Sequence, residues 1–447
     1  MIDLKQNKGL MIEGTIWKQL LLFSLPLLLG NLFQQLYNTV DSIIVGNYVG
    51  SDALAAVNSS NPIINLLVSF FMGIAVGAGV IISRYFGSRN HEALEKAIHT
   101  TVAIGFAAGI FMTFFGIFAA PWILEAVGTP ESVMANSVLY LRIYFGGILG
   151  VLLYNMGSGI LRAVGDSKNP LYFLIVSSLV NIALDLLFVV IFDMGIAGVA
   201  WATLIAQAIS ALLTLLLLVN TKREYKLCIR NIRIDMPMAK DIVKVGLPSG
   251  LQNAVVSFSN VIVQSNINSF GSMAMAGCGS YSKIDGFAIL PVMSFSMALT
   301  TFVGQNIGAR RFDRVRLGAK IGTAMSCAIT FSLGLLLFAF APQVLRIFSG
   351  EEEVIYYGTL MMRTVVPGYI FLALSHSLAG VIRGAGLTKI PMIVMVCCWC
   401  FLRIAWISIA MPIFHDIQVV FWGYPITWLA SAIWMVLYYR KANWIHQ

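Results

Sequence analysis

Charge is what this chain has least of. Only 11% of its 447 residues are Asp, Glu, Lys or Arg, where a soluble domain carries about 25%. Against that, 58% are hydrophobic and the mean hydropathy is +0.84. A water-soluble fold of this length cannot hide so much apolar surface, which excludes a cytosolic enzyme, a nucleic-acid-binding module and a disordered chain. Histidine is scarce too. The five (His91, His99, His376, His415, His446) are scattered, so no catalytic cluster suggests a membrane enzyme. None of the six cysteines (Cys228, Cys278, Cys327, Cys397, Cys398, Cys400) forms a C-x-x-C pair near histidine. They point to neither zinc nor a disulfide framework, and the 397–400 cluster reads as packing inside a helix. No short apolar core with a cleavage site opens the chain, so no cleavable signal peptide is expected. What remains is a polytopic membrane protein.

Apolar windows of about 20 residues, enough to cross a bilayer as helix, recur twelve times. They cover 17–41, 56–82, 97–120, 135–159, 171–192 and 194–218, then 245–269, 278–303, 318–341, 357–380, 391–411 and 417–439. Helix is the expected form, because backbone groups in hydrocarbon must be satisfied within the segment. The basic residues set the orientation. With twelve spans, 24 of the 29 Lys and Arg fall on one side, among them Lys5, Lys8, Arg84, Arg89, Arg162, Arg310 and Arg311. By the positive-inside rule both termini are cytoplasmic. The net charge of +9 then records topology rather than affinity for nucleic acid.

The chain also resembles itself. At an offset of 221, Arg162-x-x-Gly165-x-x-Lys168-x-Pro170 meets Arg383-x-x-Gly386-x-x-Lys389-x-Pro391, and Arg89 meets Arg310, Arg142 meets Arg363, Trp201 meets Trp422. At 222, Pro26 meets Pro248 and Asn38 meets Asn260. The expected fold is all-α: twelve transmembrane helices in two six-helix lobes related by a pseudo-twofold along the membrane normal. The lobes would be 1–218 and 245–447, joined by a cytoplasmic basic linker at 219–244. Duplication of this kind is a transporter architecture.

Polar side chains at membrane depth are costly and are functional candidates by default. Asn31, Gln34, Asn38 and Asp41 are spaced by three and four and share one helical face. So do Ser177, Asn181 and Asp185, and again Thr203, Gln207, Ser210 and Thr214. Amides and hydroxyls can equally serve to tie helices together. The two acids are harder to explain that way, since no basic residue of their half lies at their depth. Burial and mutual repulsion favour protonation of such a pair. A site of this kind takes H⁺, or binds Na⁺ with amide and hydroxyl oxygens.

The second half differs. Asn253, Ser257, Asn260, Gln264 and Asn268 line one face, yet Val263 and Trp406 stand at the repeat positions of Asp41 and Asp185. The acid there is Asp285, two residues from Lys283, as an ion pair or as cavity lining. Arg403 is expected either to pair with an acid such as Asp285 or to meet substrate, and His376 to be a core residue.

These motifs together resemble the multidrug and toxic compound extrusion (MATE) family over nearly the whole chain. They are Pro26 with Gln34-x-x-Tyr37-Asn38-x-x-Asp41, Gly87-x-Arg89, the two Arg-x-x-Gly-x-x-Lys-x-Pro loops, and Tyr281-x-Lys283-Ile284-Asp285. The resemblance implies a cation-coupling site at Asp41, Asn181, Asp185 and Thr203. It places Gln34, Tyr37, Asn38, Tyr140 and Asn155 in the same cavity, with Ser158 where some relatives carry a second amide. Asn260, Gln264, Lys283 and Asp285 would line the cavity from the other half, where another branch of the family places its coupling carboxylate in the seventh span. The implied function is an antiporter exporting organic, cationic or amphipathic compounds in exchange for H⁺ or Na⁺. No cofactor is expected beyond that ion, and no partner beyond the small-molecule substrate and the bilayer. A monomer in the plasma (inner) membrane of a prokaryote is expected. The alternative is a flippase for lipid-linked saccharides from the same wider superfamily, which would want a cationic cavity for a pyrophosphate.

Overall fold

The computed structural model describes residues 11–444; Lys5, Lys8 and His446 of the reading above lie outside them. Among the described residues the regular structure is helical throughout. Twelve long helices follow in order: α1 (Ile16–Val49), α2 (Ser51–Gly87), α3 (His91–Ala126), α4 (Glu131–Gly146 and Ile148–Ala163, bent by 47°), α5 (Lys168–Ile191) and α6 (Gly195–Asn220). Then come α7 (Met236–Asn268), α8 (Ser272–Gly308), α9 (Phe312–Ala339), α10 (Glu352–Gly384), α11 (Lys389–Phe414) and α12 (Ile417–Lys441). Each apolar window of the sequence falls on one of them. Ten are long and apolar enough to cross a membrane, eleven when the bent α4 counts as one span. The exception, α7, has the length, but its stripe of amides and its three charges near the start (Lys240, Asp241, Lys244) dilute the apolar signal.

The backbone repeats as the sequence does. Arg89 and Arg310, at φ 54° and 56°, and Gly165 and Gly386, at φ 84° and 85°, adopt the same left-handed turn at the offset of 221. Gly50 and Gly271 (φ 109° and 96°) extend the pattern to the tight links between α1 and α2 and between α7 and α8. A left-handed conformation costs an arginine roughly 1–2 kcal/mol, so its occurrence at both repeat positions marks a shared connection.

The chain forms two compact units, Leu29–Gly250 and Met11–Leu28 with the residues from Leu251 on. Both α1 and α7 therefore contribute their opening turns to one unit and the remainder to the other. In the first unit, Gly73 and Gly77 of α2 face Gly246 and Gly250 of α7 so closely that a Cβ on Gly77 would lie 2.4 Å from the Gly246 nitrogen. Small residues one turn apart on both helices let the backbones touch, the usual packing device between helices in lipid. Much of the segment 221–235 docks on α3. The Cys228 N–H donates to His99 Nε2 (3.0 Å), Asn231 Nδ2 to Glu95 (3.0 Å) and the Asp235 N–H to Thr100 (3.2 Å), while Tyr225 and Leu227 are buried.

In the second unit the chain's entry is held the same way by different chemistry. The Met11 N–H donates to Gln305 (2.8 Å), and Arg314 donates to the Gly14 carbonyl (2.9 Å) and to Gln19 (3.1 Å).

Candidate functional site

The first unit brings the two acids together. Asp41 lies one turn before the π-helical end of α1 (Val45–Val49), and Asp185 directly precedes the π-helical end of α5 (Leu186–Ile191). Such widened turns recur at functional positions in helices. The two carboxyl groups are within hydrogen-bonding range of each other. Written as carboxylates, however, Asp41 Oδ1 and both Asp185 oxygens have no donor, and both polar atoms of Asn181 are likewise buried without a partner. Asp185 is fully buried and Asn181 is 1% exposed. Each unmet buried polar group costs about 1–3 kcal/mol, and two carboxyl groups side by side need a proton or a cation between them. Nothing else in the described structure leaves five polar atoms of three neighbouring side chains in this condition.

A small cavity opens beside the pair, lined by Tyr37, Ser177, Ser178, Asn181, Thr203, Ala206 and Gln207. It has room for about one water molecule. Ser177 Oγ donates to the Ala206 carbonyl (2.7 Å), tying α5 to α6, and Tyr37 reaches Gln207. The other hydroxyls turn back on their own helices: Thr203 to Val199 (3.1 Å), Ser178 to Leu174 (2.8 Å), Thr214 to Ser210 (2.7 Å). Of the expected set, Tyr37, Asn181 and Thr203 line this cavity, and Asp41 and Asp185 follow Tyr37 and Asn181 by one turn on their helices. Tyr140 is buried, and its ring lies 6.5 Å from that of Tyr144. Gln34 and Asn38 are exposed. Asn155 donates to its own helix at Val151 (2.8 Å), and Ser158 is buried beside Tyr154.

The second unit holds a different arrangement. Asp285 Oδ1 accepts from the hydroxyls of Tyr281 (3.1 Å) and Tyr369, which are themselves 3.1 Å apart. Lys283 is exposed, and the ion pairs of the described residues (His91–Glu224, Lys96–Glu92, Arg346–Glu352) do not include it. The geometric reason is that residues two apart point to different helix faces, whereas Tyr281, four residues earlier, shares the face of Asp285.

Arg403 does not pair with Asp285. It is 1% exposed, and its hydrogen bonds go to Asn260 Oδ1 and Thr427 Oγ1, both 3.2 Å, instead of to Asp285. The faces of Tyr424 and Trp399, with centroids 4.5 and 6.0 Å from the guanidinium carbon, surround the charge. Gln264 donates to Asn268 (2.8 Å), and both are exposed. His376 is buried, with its ring 5.1 Å from Trp399, as a core residue should be.

Tyr369, Thr427 and Tyr424 are site residues that the sequence reading missed. Tyr281 carried a signal in its spacing of four from Asp285; Tyr369 is 84 residues from Asp285 and Thr427 24 from Arg403, so these pairs meet only through packing.

The MatE family model matches residues 26–187 and 248–408, one copy on each half. The chain belongs to this family. It is 30% identical over 439 residues to the probable multidrug resistance protein YoeA of Bacillus subtilis, covering 96% of this chain and 94% of that one. It is also 30% identical to the probable multidrug resistance protein YpnP of the same organism, with coverage of 97% and 96%. The fold superposes on the outward-facing structure of a MATE multidrug resistance transporter with a TM-score of 0.91, 23% identity and coverage of 97% and 98%. It matches equally well, at 0.92 and 22% identity over 99% of both chains, a Pyrococcus furiosus transporter described as having a binding pocket of reversed polarity. The architecture is therefore the twelve-helix, two-lobe fold of MATE proteins, which are membrane transporters and not enzymes.

Proposed function

We propose that this MATE protein exports organic cations or amphipathic compounds by exchange for H⁺ or Na⁺, with Asp41 and Asp185 as the coupling carboxyl groups. The observation that carries this reading is the pair of neighbouring carboxyl groups, Asp185 fully buried and Asp41 half-buried, with Asn181 unpartnered beside Asp185. A proton on the pair removes the repulsion. A sodium ion could use the same oxygens together with those of Asn181 and Thr203. Loading on the outer side and release to the cytoplasm would bias the two lobes between outward- and inward-open forms, so that inward movement of the cation drives outward movement of the drug. The names of the Bacillus subtilis relatives support multidrug export. The charge distribution supports cytoplasmic termini, and the chain is taken to act as a monomer in a prokaryotic plasma membrane.

A flippase for lipid-linked saccharides needs accessible cations for a pyrophosphate. Arg403 is enclosed by rings and neutral oxygens and so is not open to a pyrophosphate. The test is reconstitution in liposomes with imposed pH and Na⁺ gradients and a fluorescent cationic dye. Gradient-driven dye movement supports the reading, and dye movement indifferent to both gradients refutes it.

A further inference from the structure

A groove of ≈ 260 Å³ runs between α9 and α10 in the second unit. Its origin is local. Pro367 interrupts α10 in a short 3-10 turn (Val366–Gly368), and Gly334 of α9 lies opposite, where a Cβ would come within 3.3 Å of Val366 Cγ1. A broken helix facing a residue without a side chain leaves a notch. Leu335, Phe338 and Ile370 line its sides and are 58%, 41% and 37% exposed, so the notch opens on the apolar outside of a membrane-spanning protein. It is narrower than the roughly 300–1,000 Å³ of sites that enclose a drug-sized ligand.

At its rim stands a cation. The Arg363 guanidinium carbon lies 5.9 Å over the ring of Phe338, and the side chain is exposed, with no carboxylate partner among the described residues. Arg363 is eleven residues into the 33-residue α10, about 16 Å along a helix of about 50 Å. With a hydrocarbon core of about 30 Å, its stem lies just inside the boundary and its head reaches the phosphate level by extending outward.

The repeat supplies an internal comparison. Arg142 occupies the equivalent position and reaches the equivalent neighbour, Ile117, but its Nε donates to the Ile117 carbonyl (3.2 Å). Over the Phe338 ring, by contrast, Arg363 keeps its N–H groups free for an anion.

We propose that this groove is a binding site for one anionic phospholipid, with an acyl chain in the Pro367–Gly334 notch and the phosphate on Arg363. A chain in the notch also lies against Tyr369, which lines it and whose hydroxyl holds Asp285. Occupancy thus bears directly on the polar cluster of this unit.

The full-length protein in detergent is titrated with phosphatidylglycerol, and with diacylglycerol of the same chains, while the melting temperature and bound lipid (by native mass spectrometry) are followed. Arg363→Gln and Leu335→Trp both alter exposed side chains and leave the fold intact. The expected result is stabilisation of the parent by phosphatidylglycerol and not by diacylglycerol. Half-saturation should move to about fivefold higher lipid in Arg363→Gln, the equivalent of about 1 kcal/mol for one basic residue at an anionic lipid. Leu335→Trp, which crowds the notch, should weaken binding as well, and Arg142→Gln should behave as the parent. The proposal is overturned if diacylglycerol stabilises equally, if Arg363→Gln and Leu335→Trp titrate like the parent, or if Arg142→Gln loses as much as Arg363→Gln.

Discussion

Arg403 holds its charge 4.5 Å from the centre of the Tyr424 ring, fully buried and bonded only to neutral oxygens. A desolvated guanidinium over an aromatic face gains about 2 kcal/mol or more, so the ring, not the phenol, should matter. Tyr424→Phe is expected to melt within a degree or two of the parent. Tyr424→Ala, which also leaves a cavity worth about 3–5 kcal/mol, should melt many degrees lower. Thermal unfolding in detergent checks both.

The clasp on Asp285 gives a second prediction. Its Oδ1 takes hydroxyls from Tyr281 and Tyr369, and a hydrogen bond of this kind is worth about 0.5–1.5 kcal/mol. Tyr369→Phe should lower the melting temperature clearly, and Asp285→Asn combined with Tyr369→Phe should cost less than the sum of the two single changes, because both remove one interaction. Additive losses would show that the contact carries no energy.

The glycine contact between α2 and α7 predicts a position-specific penalty. Gly77→Ala places a methyl 2.4 Å from the Gly246 nitrogen, whereas Gly79→Ala meets its first neighbour, the Gly159 carbonyl, at 3.7 Å. Overpacking costs about 1–3 kcal/mol, so the first change should reduce stability and folded yield while the second leaves both unchanged.

His99 predicts the behaviour of the docked segment 221–235. One ring nitrogen accepts the Cys228 N–H and the other meets the Glu95 carbonyl (2.7 Å), so the ring is neutral with its hydrogen on Nδ1. His99→Ala leaves the Cys228 N–H without its acceptor. At about 1–3 kcal/mol, hydrogen exchange in this segment should accelerate about tenfold, with exchange in α3 beyond the first turns unchanged.

Much of this was legible in the sequence, for physical reasons. Helix periodicity alone puts Asn31, Gln34, Asn38 and Asp41 on one face, and the bilayer's intolerance of charge makes two unmatched acids stand out. The repeat was visible because its left-handed turns tolerate few residues, as at Gly165 and Gly386. What could not be read is whatever depends on packing between distant helices. Tyr369 reaches Asp285 across 84 residues, and Arg403 chose aromatic faces over a carboxylate. Nor could spacing reveal that the opening turns of α7, with Lys240 and Lys244, belong to the same compact unit as α2, because the glycines that allow it are separated by about 170 residues.

The central claim rests on Asp41 and Asp185, and its most direct test is dye transport by Asp41→Asn and Asp185→Asn in liposomes under an imposed pH or Na⁺ gradient. Each amide keeps the shape and removes the ionisable group. The account predicts that both variants fold and bind dye yet lose gradient-driven transport, falling to the rate of empty liposomes. Full gradient-driven transport by both variants would contradict it.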